Sequence, residues 1–274
     1  MKTSQTIRPN AIASLPEQYG SLAEEYHVAT RNPGVAKRVF KTHEAQYSQY
    51  LLDLASSAPL RRDAASRVAL PSPVAVTMPL EQAITRRTSG RDYASTPLDV
   101  AQLAGLLILA NGIRETIKID SGELFYQRNV PSAGNLGSAE VFPIVMNVAG
   151  VEPGIYHFDT VDHDLACLHR GQYRTWLEEL VLFQLELPRA AVALVLTCAL
   201  GRLAAKYGQR GYRLGLMDIG HVSQNVQLVA TALGLAACAT AGFIDEELDA
   251  ALGLDGVETA SMLVLLVGPP EGHL

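Results

Sequence analysis

The chain has 274 residues, 48% of them hydrophobic and 18% charged, so it can bury a sizeable core around one main domain. Its formal net charge of -6 argues against binding to nucleic-acid phosphates. Apolar runs such as Ala191–Leu200 are far shorter than the ~20 residues that span a bilayer, and residues 1–15 lack the apolar core of a secretory signal. We therefore expect a cytoplasmic protein with a peptide or small-molecule substrate, no nucleic-acid partner and no membrane span.

The cysteines and histidines predict neither disulfides nor a metal site. The three cysteines are far apart, lack a CxxC spacing and are odd in number, which favours small buried apolar residues. Three histidines on a predicted hairpin lack a zinc-like spacing and an accompanying cysteine pair. These residues are Cys167, Cys198, Cys238, His157, His163 and His169.

Residues 1–77 read as an N-terminal extension and linker. Four prolines between residues 56 and 79 surround the charged stretch 61–63, which disfavours regular structure and indicates a connector. The main domain is therefore predicted over residues 78–274.

Two helices carry clear signals. Thr96, followed by Pro97 and Asp99, combines a hydroxyl cap, a first-turn proline and an acid near the positive end of the dipole, so a helix is predicted from there to about Asn111. Further along, apolar residues spaced by three and four define a helix that is apolar nearly all round and is expected to be buried. Its face consists of Ile219, Val222, Val226, Val229 and Leu233, closed by Gly234. His221 on this helix is expected to be a hydrogen-bonded core residue.

Short apolar runs predict the strands. Val141–Val148, Ala190–Leu200 and Ser261–Val267 are rich in valine and leucine, as central strands are. Gly154–Asp159 and Asp164–His169 alternate around a turn and predict a hairpin. The fold class is therefore α+β, with a mostly antiparallel central sheet and long buried helices.

An arginine cluster precedes the first predicted helix. Residues 86–91, with the sequence Arg-Arg-Thr-Ser-Gly-Arg, place three guanidinium groups and two hydroxyls close together, which suits a phosphate. A solvated arginine turn with surface ion pairs is the alternative. Residues 128–135 hold a proline, small residues and an amide that could approach a flat ring, or they form an ordinary loop.

Three segments resemble, in the family's order, the FMN-binding segments of nitroreductase-superfamily flavoproteins: Arg87–Arg91, Pro131–Asn135 and residues 234–243. The resemblance covers about Met78 to Gly268. It implies the nitroreductase-like fold and a homodimer with FMN at the interface, where Ser132 and Asn135 approach from the partner subunit. The implied FMN-binding residues are Arg87, Thr88, Ser89, Arg91, Pro131, Ser132, Ala133, Asn135, Ala241 and Gly242.

One departure from the family concerns the end of the sequence, which reads Gly-Pro-Pro-Glu-Gly-His-Leu instead of the basic tail that many nitroreductases place on the phosphate. A second group of positive charge lies at residues 202–213. Arg213 is the candidate phosphate partner in this group, and a solvated basic loop is the alternative.

Lys206-Tyr207 resembles the Lys-Tyr motif of SagB-type azoline dehydrogenases, which oxidise thiazolines and oxazolines in peptides. Oxidation of an azoline needs a base that faces the flavin. Lys206 can be this base if burial or neighbouring cations such as Arg202 and Arg210 lower its pKa, while Tyr207 could relay the proton or position the substrate. Without the family context, both residues would read as surface side chains.

The sequence therefore predicts an FMN-dependent dehydrogenase that converts an azoline or similar dihydro-heterocycle in a peptide or small natural product to the aromatic azole. Oxygen would reoxidise the flavin, and a cyclodehydratase complex is a further candidate partner. An NAD(P)H-dependent nitro or quinone reductase is one alternative. A non-catalytic flavin-binding scaffold subunit of a peptide-modifying complex is another.

Overall fold

The structure is a computed structural model, and it describes residues 22, 25–31, 60–118, 122, 124–181 and 189–272. The chain divides into two units, Met1–Glu44 and Ala45–Leu274. In the first unit, a helical turn covers residues 25–29 and the Thr30 hydroxyl donates to the Tyr26 carbonyl at 2.6 Å. Apart from residues 22 and 25–31, the predicted extension before residue 60 lies outside the described residues.

The second unit is built on a sheet that has seven strands in the described residues, in the order β1-β6-β5-β4-β7-β9-β8. Every strand pairing in it is antiparallel. The strands are Arg67–Ala69 (β1), Ala139–Val145 (β4), Gly154–Asp159 (β5), Asp164–Arg170 (β6), Val192–Ala199 (β7), Ala236–Thr240 (β8) and Thr259–Gly268 (β9). A separate hairpin consists of Ile113–Lys118 (β2) and Leu124–Arg128 (β3). The predicted, mostly antiparallel sheet is confirmed. The predicted hairpin is also confirmed and is formed by β5 and β6.

The helices of this unit cover the sheet. They are Leu80–Arg86 (α1), Val100–Asn111 (α2), Arg174–Leu180 (α3), Leu200–Tyr207 (α4), Gly211–Ala232 (α5) and Asp245–Leu252 (α6). The longest of them, α5, places Ile219, Val222 and Val226 in the same core cluster as the central strands β4, β7 and β9. None of the described helices is both long and apolar enough to cross a membrane.

The start of α2 differs from the prediction. The helix begins at Val100 rather than near Thr96, and Asp99 is its cap, with the carboxylate accepting from the Ala101 N–H at 2.7 Å. Gln102 completes a capping box by accepting from the Asp99 N–H. Leu98 is fully buried and bridged to Val148, which keeps the preceding segment extended.

The prediction that α5 is buried all round was wrong. One face packs on the sheet, while Tyr212, Leu216 and Met217 are 43%, 48% and 51% exposed. His221 is also exposed and is therefore not a core residue. These four residues, with the exposed Gly220, are called the exposed face of α5 below. A helix with apolar residues on both sides can bury only the side that meets the sheet.

Strand β1 lies within the stretch that the sequence predicted as an irregular connector. Arg67 in β1 bonds Asp159 and Asp164 at 2.7 and 2.6 Å, which ties the strand to the hairpin of β5 and β6. The sheet thus extends into residues before 78, because these ion pairs and the ladder to β6 compensate for the prolines nearby.

Candidate functional site

The loop of residues 131–138, between β3 and β4, contains the second predicted FMN segment and is called the site loop. Its backbone turns tightly, since Gly134 and Asn135 have φ of +60° and +58°. The Asn135 amide donates to the Tyr126 carbonyl at 2.9 Å, and the Ser132 hydroxyl accepts from the Gly137 N–H at 2.9 Å. The loop is therefore a compact, internally bonded turn beside the β2–β3 hairpin.

A buried carboxylate of α5 holds the site loop. Asp218 accepts from the Ala133 N–H at 3.0 Å and from the Ser138 hydroxyl at 2.6 Å. Burial raises the pKa of this carboxyl, and the two hydrogen bonds oppose that rise. Asp218 was not among the predicted site residues. The sequence signal for Asp218 was a single acid on the apolar face of the helix, four residues before Val222.

Two arginines hold the other end of the loop. Arg202 donates to the carbonyls of Leu136 and Gly137, both at 3.1 Å. The Arg128 guanidinium lies against Gly137, where a Cβ atom would come within 2.6 Å of Nε. The sequence suggested Arg202 only as a neighbouring cation that could lower the pKa of Lys206. In the structure, Arg202 instead binds the backbone carbonyls of the site loop.

Arg128 itself belongs to a buried ionic network. Its Nη2 lies 3.8 Å from Glu140, and His157 Nε2 lies 3.5 Å from the same carboxylate. Burial alone would raise the pKa of Glu140, but His157 and Arg128 outweigh it and hold this pKa below its ordinary value. Glu140 is therefore a charged partner that keeps Arg128 in place under the loop.

Lys206 and Tyr207, at the end of α4, meet the site loop at Gly134. A Cβ atom on Gly134 would overlap both the Lys206 ammonium nitrogen and the Tyr207 hydroxyl, and it would lie 3.1 Å from Lys206 Cε. Lys206 Nζ is 5.3 Å from the centre of the Tyr207 ring. Burial lowers the pKa of Lys206, so of the two predicted causes it is burial that acts on this residue. The structure thus joins the predicted catalytic pair to the second predicted FMN segment.

A cavity of about 560 Å³ lies at the other end of α5. It is lined by Met78, Arg86, Thr88, Thr231, Gly234, Leu235, Ala236, Pro270 and Gly272. The first and third predicted FMN segments meet here, since Gly90 packs so closely on Ala236 that an added Cβ would lie at 3.1 Å from its side chain. Arg86 also lines this cavity, although the predicted FMN-binding residues began at Arg87. The sequence signal for Arg86 was its position next to Arg87.

The other residues of the first and third predicted FMN segments do not line this cavity. Arg87 donates to the Gln227 side chain of α5 at 3.4 Å, while Ser89 and Arg91 are exposed. Ala241 and Gly242 follow β8, where the Gly242 N–H donates to the Thr240 hydroxyl at 3.1 Å.

The loop and the cavity lie at different ends of α5. Asp218, under the loop, precedes Gln227 by nine residues and Thr231 by thirteen, which corresponds to about 13 Å and about 20 Å along the helix axis. Arg213 is at the loop end, about 27 Å along the axis from Thr231. Within one chain, the first and third predicted FMN segments therefore meet at the cavity. The second segment lies with Lys206 and Tyr207 at the opposite end of α5.

Known proteins match more than half of this chain. It is 32% identical over 169 residues to a protein of Methanocaldococcus jannaschii named among the nitroreductases, covering 62% of this chain and 81% of that protein. It is 28% identical over 195 residues to the trifolitoxin-processing protein TfxB of Rhizobium leguminosarum bv. trifolii, covering 67% of this chain. The match spans only about half, 51%, of TfxB.

A solved structure shares the fold. A chain of the Escherichia coli microcin synthetase McbBCD complex with truncated pro-MccB17 bound superposes with a TM-score of 0.60 at 22% identity, covering 95% of this chain and 96% of that chain. The model of the nitroreductase family matches residues 84–268, which include all three predicted FMN segments and the Lys206-Tyr207 pair. The chain belongs to the nitroreductase family.

Proposed function

We propose that this protein is an FMN-dependent dehydrogenase that oxidises an azoline, or a related dihydro-heterocycle in a peptide or small natural product, to the aromatic azole. The observation that carries the proposal is the position of Lys206. Its ammonium group lies with the Tyr207 hydroxyl against Gly134 of the site loop, and burial lowers its pKa. A lowered pKa makes a lysine easier to deprotonate than an exposed one, which suits the role of a general base.

The residues around the cavity fit FMN, the cofactor typical of the nitroreductase family. A volume of about 560 Å³ is within the range of small-molecule sites. Arg87, Thr88, Ser89 and Arg91 would hold the phosphate, ribityl and pyrimidine edge, because guanidinium groups and hydroxyls donate to phosphate and carbonyl oxygens. Gly234 and Ala236 have small side chains, which leave the backbone there open to a flat ring.

The proposed reaction divides its work between the cofactor and the chain. Bound FMN would be the two-electron oxidant, the acceptor for a hydride from one ring carbon of the substrate. Neutral Lys206 accepts the proton from the neighbouring carbon, so that the azoline loses two hydrogens and becomes aromatic. Tyr207 orients the ring or relays this proton. Oxygen would be the final acceptor of the two electrons.

The relatives support a peptide substrate. TfxB is named for trifolitoxin processing, and the McbBCD structure is a microcin synthetase with a truncated propeptide bound. We infer that this chain likewise acts on a peptide, in company with a cyclodehydratase that forms the azoline.

The working unit of this chain is a homodimer, and light scattering should give about twice the 29.4 kDa chain mass.

An NAD(P)H-dependent nitro or quinone reductase is the second candidate, because the Methanocaldococcus jannaschii relative carries a nitroreductase name. The two functions share the FMN site and differ in the electron donor. The azoline reaction uses Lys206 as a base, whereas nicotinamide oxidation needs no base at this position.

Anaerobic mixing of the FMN-loaded protein with a thiazoline peptide tests the proposal. We expect the visible flavin band to bleach and the peptide to lose two hydrogens, which mass spectrometry detects. Bleaching by NADPH alone would favour the reductase. A flavin that neither donor reduces would indicate the scaffold subunit, and colourless protein that cannot be reconstituted with FMN would overturn the cofactor assignment.

A further inference from the structure

One side chain of α5 is bonded to both ends of the turn against which Lys206 lies. Asp218 is only 3% exposed, and it accepts hydrogen bonds from the Ala133 N–H at 3.0 Å and from the Ser138 hydroxyl at 2.6 Å. Ala133 immediately precedes Gly134, the residue that the lysine side chain approaches. The backbone next to the lysine nitrogen is therefore bonded to α5.

The helix that carries Lys206 is also packed tightly on α5. A Cβ atom added to Gly211 would lie 2.8 Å from the Leu203 carbonyl carbon, and one added to Gly215 would lie 3.2 Å from the Leu203 side chain. Side chains larger than hydrogen do not fit here, so α4 and α5 pack as one unit. Asp218 follows Gly215 by three residues, which corresponds to about 4.5 Å along the helix axis.

Three contacts thus join α4, α5 and the site loop in a closed path. The two helices meet at Gly211 and Gly215, Asp218 bonds α5 to the loop, and the loop meets α4 at Lys206. Arg202 of α4 also bonds the loop, at carbonyls further along the turn. Of these bonds, the one from Asp218 lies closest in sequence to the place where the lysine meets the loop.

Burial of the Asp218 carboxyl is unfavourable by itself and raises its pKa. The hydrogen bonds from Ser138 and Ala133 act in the opposite direction, as do His221, on the exposed face of α5, and Arg128 at the end of β3. Since both hydrogen bonds come from the site loop, the position of that loop is what the buried carboxylate stabilises.

We propose that Asp218 is a positioning residue for Lys206: by fixing the backbone before Gly134, it sets where the lysine nitrogen lies relative to the substrate. It acts through the loop and is not itself the base. This inference rests on the proposed function, because azoline oxidation is the activity that the position of Lys206 controls. A shift of about 1 Å in a catalytic group can lower the rate by about 100-fold.

Three substitutions of Asp218 separate the position of the loop from the charge. Asp218→Ala removes both hydrogen bonds. Asp218→Asn removes the charge but can keep both bonds, since its carbonyl accepts from the Ala133 N–H and its amide group donates to the Ser138 hydroxyl. Asp218→Glu keeps the charge but moves the carboxylate by about 1.5 Å, the length of one carbon–carbon bond.

Steady-state kinetics of the FMN-loaded variants with a thiazoline peptide tests the proposal. We expect Asp218→Ala to lower kcat by about 100-fold, with KM and the dissociation constant of FMN near their wild-type values. Asp218→Glu should lose nearly as much, and Asp218→Asn should recover most of the wild-type kcat. If the Glu variant turns over faster than the Asn variant, charge rather than position matters and the proposal is wrong. A wild-type kcat in the Ala variant would also overturn it.

Asp249 offers a matched control. It is likewise a buried acid of a helix, 6% exposed in α6, and it accepts from the Ser261 N–H at 2.7 Å. Asp249→Ala should lower the free energy of unfolding in urea about as much as Asp218→Ala does, but it should leave kcat unchanged. Equal losses of kcat in the two variants would mean that Asp218 acts through general stability, which contradicts a positioning role.

The environment of Lys206 can also be followed without any reaction. Competitive acetylation over a pH series, read by mass spectrometry, gives the pKa of each lysine, with the exposed Lys118 as the internal reference. Burial lowers the pKa of Lys206, so its midpoint should lie below that of Lys118 in the wild type. Displacement of the loop should raise it toward Lys118 in Asp218→Ala and Asp218→Glu, but not in Asp218→Asn. The same midpoint in wild type and Asp218→Ala would rule out the proposed geometry.

The two readouts separate this inference from the function that it rests on. If the midpoint of Lys206 shifts as expected but the wild type does not oxidise a thiazoline, the azoline reaction is wrong and the link from Asp218 to Lys206 stands. If the wild type oxidises the thiazoline and Asp218→Ala does so with the same kcat, the positioning role is wrong and the reaction stands.

Discussion

The two ends of α5 hold their functional side chains in different ways. At the loop end, charged side chains fix backbone: Asp218, Arg202 and Arg128 bond or pack against a turn of a few residues. At the cavity end, Ser89 and Arg91 are exposed, and the lining combines small residues such as Gly234 and Ala236 with the larger Met78 and Arg86. A base must be positioned to a fraction of an ångström, whereas the cavity completes its hydrogen bonds only when a ligand fills it. Substitutions at the loop end should therefore affect turnover, and those at the cavity end should affect cofactor retention.

The largest effect is expected for Lys206→Ala. The variant should keep the FMN spectrum and the dimer but lose thiazoline oxidation by about 100- to 10,000-fold, the usual contribution of a positioned acid–base group. Stopped-flow bleaching under anaerobic conditions measures the loss. Lys118→Ala, which removes an exposed lysine of β2, is the control. If the Lys206→Ala protein bleaches as fast as wild type, Lys206 is not the base.

Removal of Arg128 should damage the fold itself. Arg128→Ala leaves Glu140 buried beside His157 without its cation, and loss of one member of a buried pair typically costs about 3–5 kcal/mol in the free energy of unfolding. Urea denaturation followed by circular dichroism gives the value. Arg114→Ala, an exposed arginine of the same hairpin, should cost less than about 0.5 kcal/mol. Equal stabilities of the two variants would contradict the structural importance of the network.

A smaller effect, confined to the cofactor, is expected for Arg91→Ala. Loss of one charge-assisted contact should weaken FMN binding by about 1.5–3 kcal/mol, which is roughly 10- to 150-fold in the dissociation constant. Fluorescence titration of the apoprotein with FMN measures this change, again with Arg114→Ala for comparison. Protein saturated with FMN should bleach at nearly the wild-type rate. A variant that binds FMN normally would remove Arg91 from the cofactor site.

The mildest test changes only the pH. Lys206 can accept a proton only in its neutral form, so the rate should rise with pH and level off above the pKa of Lys206. Because burial lowers that pKa, the midpoint of the rise should lie below the ordinary value for lysine. The profile of kcat/KM with a thiazoline peptide shows this limb, and Lys206→Ala should lack it. A midpoint at the ordinary lysine value would mean that Lys206 is solvated in the active protein.

Local sequence patterns predicted most of the fold and the composition of each site segment. Residue spacing identified α5 and its buried face, but it could not show that Leu216 and Met217 face solvent, since apolar residues occur on both sides of that helix. Thr96 and Asp99 could both cap the start of α2, and only the tertiary contact of Leu98 with Val148 selected Asp99. Helix boundaries of this kind depend on packing.

The joining of the site segments lay beyond sequence reasoning for a different reason. Lys206 and Gly134 are each recognisable from their motifs, yet their contact depends on how α4 and the site loop pack. Asp218 was missed because one acid in an amphipathic helix is usually a surface residue, and its burial is justified only by its hydrogen bonds to the loop. Such partners become visible when the backbone is in place.

Because Gly134 has no side chain, it leaves room for the side chains of Lys206, the proposed base, and Tyr207. A single methyl group added there would occupy the position of the lysine nitrogen and the tyrosine hydroxyl, and it would also be strained at a φ of +60°. Gly134→Ala should therefore displace the intact base from its substrate and leave the residues of the cavity unchanged. A protein altered in this way would load flavin and hold the azoline peptide without oxidising it, which makes it a suitable trap for crystallising the substrate complex.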